Sequence, residues 1–168
     1  VARVKIDKLY LVGFMGAGKT SVATALGRRL GWRTEDIDAR IEMRERRSVS
    51  AIFVRDGEAH FRQAERKVLR DLLSDRNVVV ATGGGTFVDP DNRTLMLNDG
   101  AVAWLDLPLS RVIGRIPPDG RRPLASDPLQ MEQLYLQRQA AYRDAHVRMD
   151  ATAPVDEICE RLLEWIGY

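Results

Sequence analysis

Apolar positions divide the chain into two kinds of segment that alternate from end to end. Segments of strand length, most of them apolar, occupy parts of 8–14, 32–36, 77–82, 101–106 and 147–149. Between them, apolar residues recur at helical spacing within 21–30, 37–46, 49–74, 110–116, 129–145 and 154–166. Strands that alternate with helices in this way predict an α/β fold with a parallel sheet.

Glycine and proline positions refine this pattern. Gly57 interrupts the helical stretch 49–74, and Asp89-Pro90 predicts the start of a further helix, because proline fits a first helical turn. The stretch 117–123 is rich in proline and predicts no regular structure. No linker or internal repeat divides the 168 residues, so we expect a single domain with a mobile lid at about 116–126.

The segment Gly13-Phe-Met-Gly-Ala-Gly-Lys-Thr20 lies between the first strand candidate and the first helix candidate. It fits the pattern G-x-x-x-x-G-K-[ST], in which backbone N–H groups surround phosphate oxygens. Lys19 can reach the β- and γ-phosphates of a nucleotide, and the Thr20 hydroxyl can ligate Mg²⁺. The alternative is a chance glycine-rich turn, and the flanking strand and helix argue against it.

Composition is that of an ordinary globular protein, with 45% hydrophobic and 30% charged residues. The net charge of +2 comes from 26 basic and 24 acidic residues and indicates no clustered basic face for nucleic acid. No apolar run reaches the roughly 18 residues of a membrane span, and residues 1–8 are too charged for a signal peptide. We expect a cytoplasmic monomer with no nucleic-acid or membrane partner, in which the single Cys159 is a small core residue.

Asp36-Ile37-Asp38 follows the second strand candidate. Side chains at i and i+2 of a strand share one face, so both carboxylates would point over the same crevice. One carboxylate can then hold the water shell of Mg²⁺, and the other can orient or deprotonate a substrate hydroxyl. The alternative, a helix N-cap followed by a solvated acid, fits the same spacing equally well.

Arg62 lies in a helical stretch beside the apolar residue Phe61. Its guanidinium can form two hydrogen bonds to the carboxylate of a ligand. At helical spacing it can instead pair with Glu58 or Glu65, and both interpretations stay open at this point.

Two further segments are candidates for substrate contact. Gly83-Gly84-Gly85 ends the third strand candidate and presents bare backbone to a ligand, with a plain turn as the alternative. Arg121 and Arg122 lie in the basic stretch 117–123 and can close over phosphates as part of a lid. Ordinary surface charge is the alternative for both arginines.

Together these residues resemble the shikimate kinases over nearly the whole chain. The resemblance rests on Gly13–Thr20, Asp36-x-Asp38, Ile52-Phe53 with Gly57-Glu58, Phe61-Arg62-x-x-Glu65, Gly83–Gly85, Arg122-Pro123-Leu124 and Arg138-x-x-x-Tyr142. The phosphate-binding loop alone would indicate only a nucleotide binder. The order and spacing of the later blocks distinguish this family from other small-molecule kinases.

The resemblance implies a three-layer P-loop kinase fold, similar to that of the nucleoside monophosphate kinases. Its five-stranded parallel sheet would have the order 2-3-1-4-5 and be flanked by helices. It also implies transfer of the ATP γ-phosphoryl group to the 3-hydroxyl of shikimate, giving shikimate 3-phosphate and ADP in aromatic amino-acid biosynthesis. ATP is the implied co-substrate and Mg²⁺ the implied cofactor.

On the nucleotide side, the implied phosphate-binding residues are Gly16, Ala17, Gly18, Lys19, Thr20 and Ser21. Thr20 would ligate Mg²⁺ directly, and Asp36 would hold it through water. Arg115 is similar to the family arginine that stacks on adenine, and Arg122 to the lid arginine on the transferring phosphate.

On the acceptor side, Asp38 would contact the shikimate hydroxyls and is the candidate base. Arg62 and Arg138 would hold the shikimate carboxylate, and the backbone of Gly84, within Gly83–Gly85, would meet the ring hydroxyls. The implied catalytic residues are therefore Lys19, Asp38 and Arg122.

The chain departs from the family pattern at three points. Pro117-Pro118 makes the lid stiffer than usual, and Ala125 stands where the family commonly has leucine. The stretch 152–154 lacks the basic residue often present in the loop that contacts adenine, which bears on nucleotide preference at that edge.

Two other functions compete with this interpretation. The first is another small-molecule kinase of the same fold, such as a gluconate kinase, which would not need Arg62, Arg138 and Asp38 together. The second is a kinase-like module that senses a ligand without turnover. Such a module would have lost parts of the phosphate machinery, whereas Lys19 and Thr20 are both present here.

Overall fold

A computed structural model describes residues 5–115 and 127–168, which form a five-stranded sheet flanked by helices. The strands are β1 (Lys8–Val12), β2 (Arg33–Asp36), β3 (Val78–Ala81), β4 (Ala101–Asp106) and β5 (Val147–Asp150). Within these ranges every strand pairing is parallel, and the order across the sheet is β2-β3-β1-β4-β5. The expected α/β fold and the strand order 2-3-1-4-5 are confirmed.

Seven helices occur in the described part of the chain. They are α1 (Lys19–Leu30), α2 (Ile37–Glu45), α3 (Val49–Leu72), α4 (Pro90–Asp99), α5 (Leu109–Arg115), α6 (Pro128–Tyr142) and α7 (Val155–Ile166), with a 3₁₀ turn at Thr86–Val88. The break expected in α3 is present, because Gly57 has φ 86° and ψ 171°. Of the helices in 5–115 and 127–168, none is long and apolar enough to span a membrane.

Helix α6 ends earlier than the sequence pattern predicted. Apolar spacing extended it to Ala145, but the last helical residue is Tyr142. Beyond it, Asp144 N–H donates to Ala141 and Ala145 N–H donates to Tyr142, each three residues back. These i→i−3 bonds form a tight turn that ends the helix. Ala145 lies in this turn, so its apolar spacing matches the helix although the residue is outside it.

The central strands form the core of the protein. Every residue of β1 and β3 is buried, whereas the edge strands β2 and β5 carry exposed positions. Strands covered on both faces are expected to have continuous apolar runs, as β3 does throughout and β1 does after its first residue, Lys8. Cys159 of α7 is fully buried, as predicted, and burial raises the pKa of its thiol.

A buried charge lies at the amino-terminal end of β1. Lys8 is fully buried, and its ammonium lies 2.7 Å from Asp99 Oδ2 at the end of α4. The Tyr10 hydroxyl donates to the same carboxylate at 2.6 Å, and Arg76 pairs with it from the surface. Burial alone would raise the pKa of Asp99, but these three donors hold that pKa below its usual value. The sequence pattern had included Lys8 in an apolar strand and did not predict this pair.

Because all five strands are parallel, their carboxyl ends meet at one edge of the sheet. Asp36 at the end of β2 is in register with Ala81 at the end of β3, and Leu11 of β1 is paired to the same residue. The loops that leave this edge are the usual place for ligands in such sheets.

Candidate active site

The phosphate-binding loop connects β1 to α1. Gly16 and Gly18 have φ values of 77° and 94°, a region that residues with a Cβ rarely adopt. Gly13 has φ 151°, and a Cβ there would also lie 2.6 Å from the Leu105 carbonyl oxygen, so no side chain fits at this position. The buried Lys19 begins α1, and its ammonium donates to the carbonyl oxygens of Gly13 and of Phe14, the latter at 3.1 Å.

Asp36 caps a helix and also contacts the phosphate-binding loop. Its Oδ1 accepts from the Ala39 N–H at 3.0 Å, which makes it the N-cap of α2. Its Oδ2 accepts from the Thr20 hydroxyl at 2.9 Å, which brings it to the phosphate-binding loop. The cap and the candidate metal ligand are therefore one residue rather than alternatives.

Asp38 lies in the helix predicted at 37–46 and not on a strand, as the argument from side-chain alternation required. The strand β2 ends at Asp36, and Ile37 already begins α2, so Asp38 belongs to the first turn of a helix. The argument from strand alternation was therefore wrong. Asp38 still reaches the crevice, because its Oδ1 would lie 2.8 Å from a Cβ built on Gly83.

Each glycine of the triple-glycine turn lies against a different charged side chain. A Cβ on Gly83 would meet Asp38, one on Gly84 would lie 2.7 Å from Arg138 Nη1, and one on Gly85 would lie 2.5 Å from Arg62 Nη1. The turn thus lets three charged side chains converge on one wall. We call Asp38, Arg62, Arg138 and Gly83–Gly85 the acceptor wall.

Arg62 is held by acidic neighbours of its own helix. Its Nη1 bonds both oxygens of the buried Glu65, at 3.1 and 3.2 Å, and its Nη2 bonds the exposed Glu58 at 3.3 Å. Burial would lower the pKa of Arg62, but attraction to Glu65 raises it overall. The ion pairs expected from helical spacing are present, and they anchor the guanidinium at the acceptor wall.

Arg138 reaches the acceptor wall from α6. It is 6% exposed, and its guanidinium carbon lies 5.8 Å from the centre of the Phe14 ring. Burial lowers the pKa of Arg138. One turn further on, the Tyr142 hydroxyl donates to the Gly84 carbonyl oxygen at 2.5 Å, which fixes α6 to the glycine turn. Burial also raises the pKa of Tyr142, so its hydroxyl stays a donor.

The nucleotide edge is formed by α5 and the segment after β5. Arg115 ends α5, and its Nη1 donates to the Gly16 carbonyl oxygen at 3.1 Å. Ala151–Val155 line the same cavity, as do Ala17, Gly18 and Ser21 of the loop and of α1. The stacking of Arg115 on adenine stays a prediction.

One cavity of about 1050 Å³ joins these parts. It is lined by the phosphate-binding loop, Asp36, Arg115 and the whole acceptor wall. Arg122 and the lid predicted at 116–126 lie outside the described residues, so both stay predictions. Residues 5–115 and 127–168 contain no group of at least three His, Cys, Asp or Glu side chains that could hold a metal ion.

Sequence reasoning missed two contributors to the site. Phe14 was counted only as a variable position of the loop, yet its ring packs edge-on against Tyr135 with centroids 5.2 Å apart and lies beside Arg138. Thr86 was not singled out, yet its buried hydroxyl bonds Glu65 at 2.8 Å. An aromatic residue inside a glycine-rich loop was the only available signal for Phe14.

The sheet has this parallel order, the G-x-x-x-x-G-K-T loop follows its central strand, and the acceptor wall lines the same cavity. These features define an ATP-dependent P-loop kinase that acts on a hydroxyl group. The family model described as shikimate kinase matches residues 15–167. The chain belongs to the shikimate kinase family.

Individual relatives are similar along most of their length. A shikimate kinase of Sulfurihydrogenibium sp. (strain YO3AOP1) is 38% identical over 160 residues, covering 94% of this chain and 96% of the relative. A shikimate kinase of Persephonella marina (strain DSM 14350 / EX-H1) is 39% identical over 142 residues, covering 84% and 87%. The structure of shikimate kinase from Acinetobacter baumannii in complex with shikimate superposes with a TM-score of 0.92 at 32% identity, covering 96% of this chain and 93% of that one.

Proposed function

We propose that this chain transfers the γ-phosphoryl group of ATP to the 3-hydroxyl of shikimate, giving shikimate 3-phosphate and ADP. The observation that carries the proposal is that one cavity holds both the phosphate-binding loop and the acceptor wall. An acidic ring with several hydroxyl groups needs cationic side chains for its carboxylate and an acceptor for its hydroxyls. The acceptor wall supplies Arg62 and Arg138 for the first need and Asp38 for the second.

The nucleotide binds along the loop in this proposal. Backbone N–H groups of residues 16–21 at the start of α1 hold the phosphates, where the helix dipole also favours anions. The Lys19 ammonium leaves the carbonyl oxygens of Gly13 and Phe14 and neutralises charge on the β- and γ-phosphates. Arg115 and the segment 151–155 flank the base.

Magnesium fits the oxygen donors at the loop. Thr20 and Asp36 present a hydroxyl and a carboxylate 2.9 Å apart, and Mg²⁺ takes such hard ligands while keeping several waters. In the proposal Thr20 would hold the ion directly and Asp36 would hold it through water. When bound, the ion would neutralise phosphate charge that builds up during transfer.

The acceptor is oriented from two sides. Arg62 and Arg138 receive the shikimate carboxylate, and Arg138 is a buried cation, for which an anionic ligand is a favourable partner. The Gly84 backbone meets the ring hydroxyls. Asp38 accepts the proton of the 3-hydroxyl as that oxygen attacks the γ-phosphorus, which is the role of a general base.

The proposed function includes the lid that the sequence predicts at 116–126. Segment 116–126 would close over the substrates, and Arg122 would contact the transferring phosphate. Closure would exclude water, so that ATP is used on shikimate rather than hydrolysed.

An ADP-release assay with shikimate, gluconate or quinate as acceptor tests the proposal. We expect ADP release to depend on shikimate, with ³¹P NMR identifying a 3-phosphate product and Lys19→Ala as the control for contaminating kinases. Faster release with gluconate would favour a gluconate kinase. Binding of shikimate without any turnover would favour the sensing module.

A further inference from the structure

The hydroxyl of Thr86 is buried behind the acceptor wall and bonds two residues, Glu65 and Gly83. Thr86 begins the 3₁₀ turn directly after the glycine turn, and the residue is 0% exposed. Its Oγ1 donates to Glu65 Oε2 at 2.8 Å and accepts from the Gly83 N–H at 3.1 Å. A threonine hydroxyl has one proton to donate, so this proton is committed to Glu65.

Both partners of this hydroxyl touch residues that meet the acceptor. Glu65 is 1% exposed and holds Arg62 Nη1 between its two oxygens. Gly83 lies against Asp38, whose Oδ1 leaves no space for a Cβ there. A continuous chain of contacts therefore runs from Arg62 through Glu65, Thr86 and Gly83 to Asp38.

The backbone of Thr86 is fixed independently of its hydroxyl. Its N–H donates to the Gly83 carbonyl oxygen at 3.3 Å, and its own carbonyl accepts from Asn92 Nδ2 at 3.1 Å. Loss of the hydroxyl therefore leaves the turn in place. The Glu65 carboxylate then loses a hydrogen-bond donor, and the Gly83 N–H loses its acceptor. The terminal torsion of Glu65 has a broad energy minimum, so the carboxylate is then free to rotate.

We infer that Thr86 is a positioning residue for the acceptor, whose hydroxyl sets the distance between the Arg62 guanidinium and the Asp38 carboxylate. The inference rests on the proposed function and adds to it a residue that touches no substrate. It accounts for the orientation of Arg62 at the wall, because a bond to Oε2 restricts the rotation of the Glu65 carboxylate, whose two oxygens both accept from Nη1.

The test compares Thr86→Val, which keeps the shape, with Thr86→Ser, which keeps the hydroxyl. For Thr86→Val we expect the KM for shikimate to rise about tenfold or more, as for a lost hydrogen bond to a charged group. The KM for ATP should stay within about twofold, and Thr86→Ser should restore the shikimate KM to within about threefold of the unsubstituted chain. Calorimetric binding of shikimate should weaken in parallel.

Thr82→Val is the matched control. Thr82 directly follows β3 and is also buried, and its hydroxyl donates to the Leu11 carbonyl oxygen of β1 at 2.9 Å, so it bonds the main chain and no side chain of the acceptor wall. We expect Thr82→Val to lower the Tm as Thr86→Val does, but to leave the KM for shikimate unchanged. An equal rise in both variants would assign Thr86 a merely structural role and overturn the inference.

A double-mutant cycle adds an independent readout. Effects of Thr86→Val and Arg62→Lys on shikimate KM should be non-additive, because both act through Glu65. Additive effects would overturn the inference. If Thr86→Val does not fold, Thr86→Cys, which keeps a weak donor, replaces it in the cycle and should give an intermediate KM. An unchanged KM in that variant also overturns the inference.

The inference and the proposed function fail in different ways. Absence of shikimate phosphorylation by the unsubstituted chain would overturn both. Normal phosphorylation together with an unchanged shikimate KM in Thr86→Val would overturn the role of Thr86 alone.

Discussion

The Thr20 hydroxyl donates a hydrogen bond of 2.9 Å to Asp36 Oδ2 and so joins the start of α1 to the end of β2. The other oxygen of Asp36 caps α2. One carboxylate therefore fixes the phosphate-binding loop, a strand and a helix relative to one another. Substituting it would disturb fold and chemistry together, so the chemistry is better tested at residues that cap nothing.

Lys19→Ala should abolish turnover and leave the fold intact. Phosphoryl transfer depends on positioning and charge neutralisation, and the Lys19 ammonium supplies both. Loss of one such donor typically costs about 10²–10³-fold in kcat. Steady-state ADP release measures kcat, thermal unfolding checks the fold, and the exposed Lys67→Ala on α3 is the control. Retention of more than about a tenth of kcat would contradict the assignment.

Asp38→Asn should lower kcat by at least about 10²-fold, in the range that general-base catalysis contributes. The amide keeps the size and one acceptor oxygen but has no basicity. Because the N-cap of α2 is Asp36 rather than Asp38, the Tm should change little. A kcat close to that of the unsubstituted chain would remove Asp38 from the role of base.

Arg62→Lys should weaken shikimate binding far more than ATP binding. A guanidinium holds a carboxylate through two N–H groups in one plane, and an ammonium cannot reproduce that geometry. Here the lysine must also satisfy the buried Glu65 with a single nitrogen. KM values for both substrates check this prediction. A raised ATP KM with an unchanged shikimate KM would move Arg62 to the nucleotide side.

Gly84→Ala should raise the shikimate KM about tenfold and leave the Tm nearly unchanged, because the backbone of Gly84 is not in the left-handed region. The added methyl group would lie 2.7 Å from Arg138 Nη1, and the end of that long side chain gives way more easily than backbone does. Gly114→Ala in α5, where a Cβ meets nothing within 4 Å, is the control. A loss of stability without a change in KM would refute the prediction.

Asp99→Asn should destabilise the fold by about 3–5 kcal/mol at neutral pH, because it leaves the buried Lys8 without its carboxylate. The folded pKa of Asp99 lies below its ordinary value of 3.8. Its stabilising contribution is therefore complete above about pH 4 and is lost as the pH falls through the lowered folded value.

Denaturant unfolding between pH 7 and pH 2 measures this contribution. The unsubstituted chain should lose stability on acidification more steeply than the Asp99→Asn variant does. Asp91→Asn, an exposed carboxylate on the same helix, is the control and should follow the unsubstituted chain. Parallel pH profiles for all three proteins would mean that Asp99 titrates alike in the folded and unfolded states.

The sheet was predictable because its central strands are buried on both faces. A strand such as β4 is apolar from residue 101 to residue 105, so the run marks all of the strand except its last residue, Asp106. Boundaries set by hydrogen bonding were less predictable. The apolar pattern placed Asp38 in the helix 37–46, but the argument from side-chain alternation treated it as a continuation of β2, which ends at Asp36.

The acceptor wall was predictable as a set of residues but not as an arrangement. Arg62 was a candidate from its helical context and Arg138 from the resemblance to the shikimate kinases, whereas the path from Glu65 through Thr86 to Gly83 depends on contacts between separate elements. Local pattern carries no information on such contacts. The buried Lys8 was missed for the same reason, because its partner Asp99 belongs to another element.

The triple-glycine turn also constrains how this sequence can diverge. Each of its positions is opposed by a different charged side chain, Asp38, Arg138 or Arg62. If a side chain replaces one of these glycines, the charged side chain opposite it must become shorter or be lost. If one of the charged side chains is lost first, the glycine opposite it is no longer required. Paired substitutions at 83 and 38, at 84 and 138, or at 85 and 62 would therefore mark descendants that have exchanged one acceptor for another.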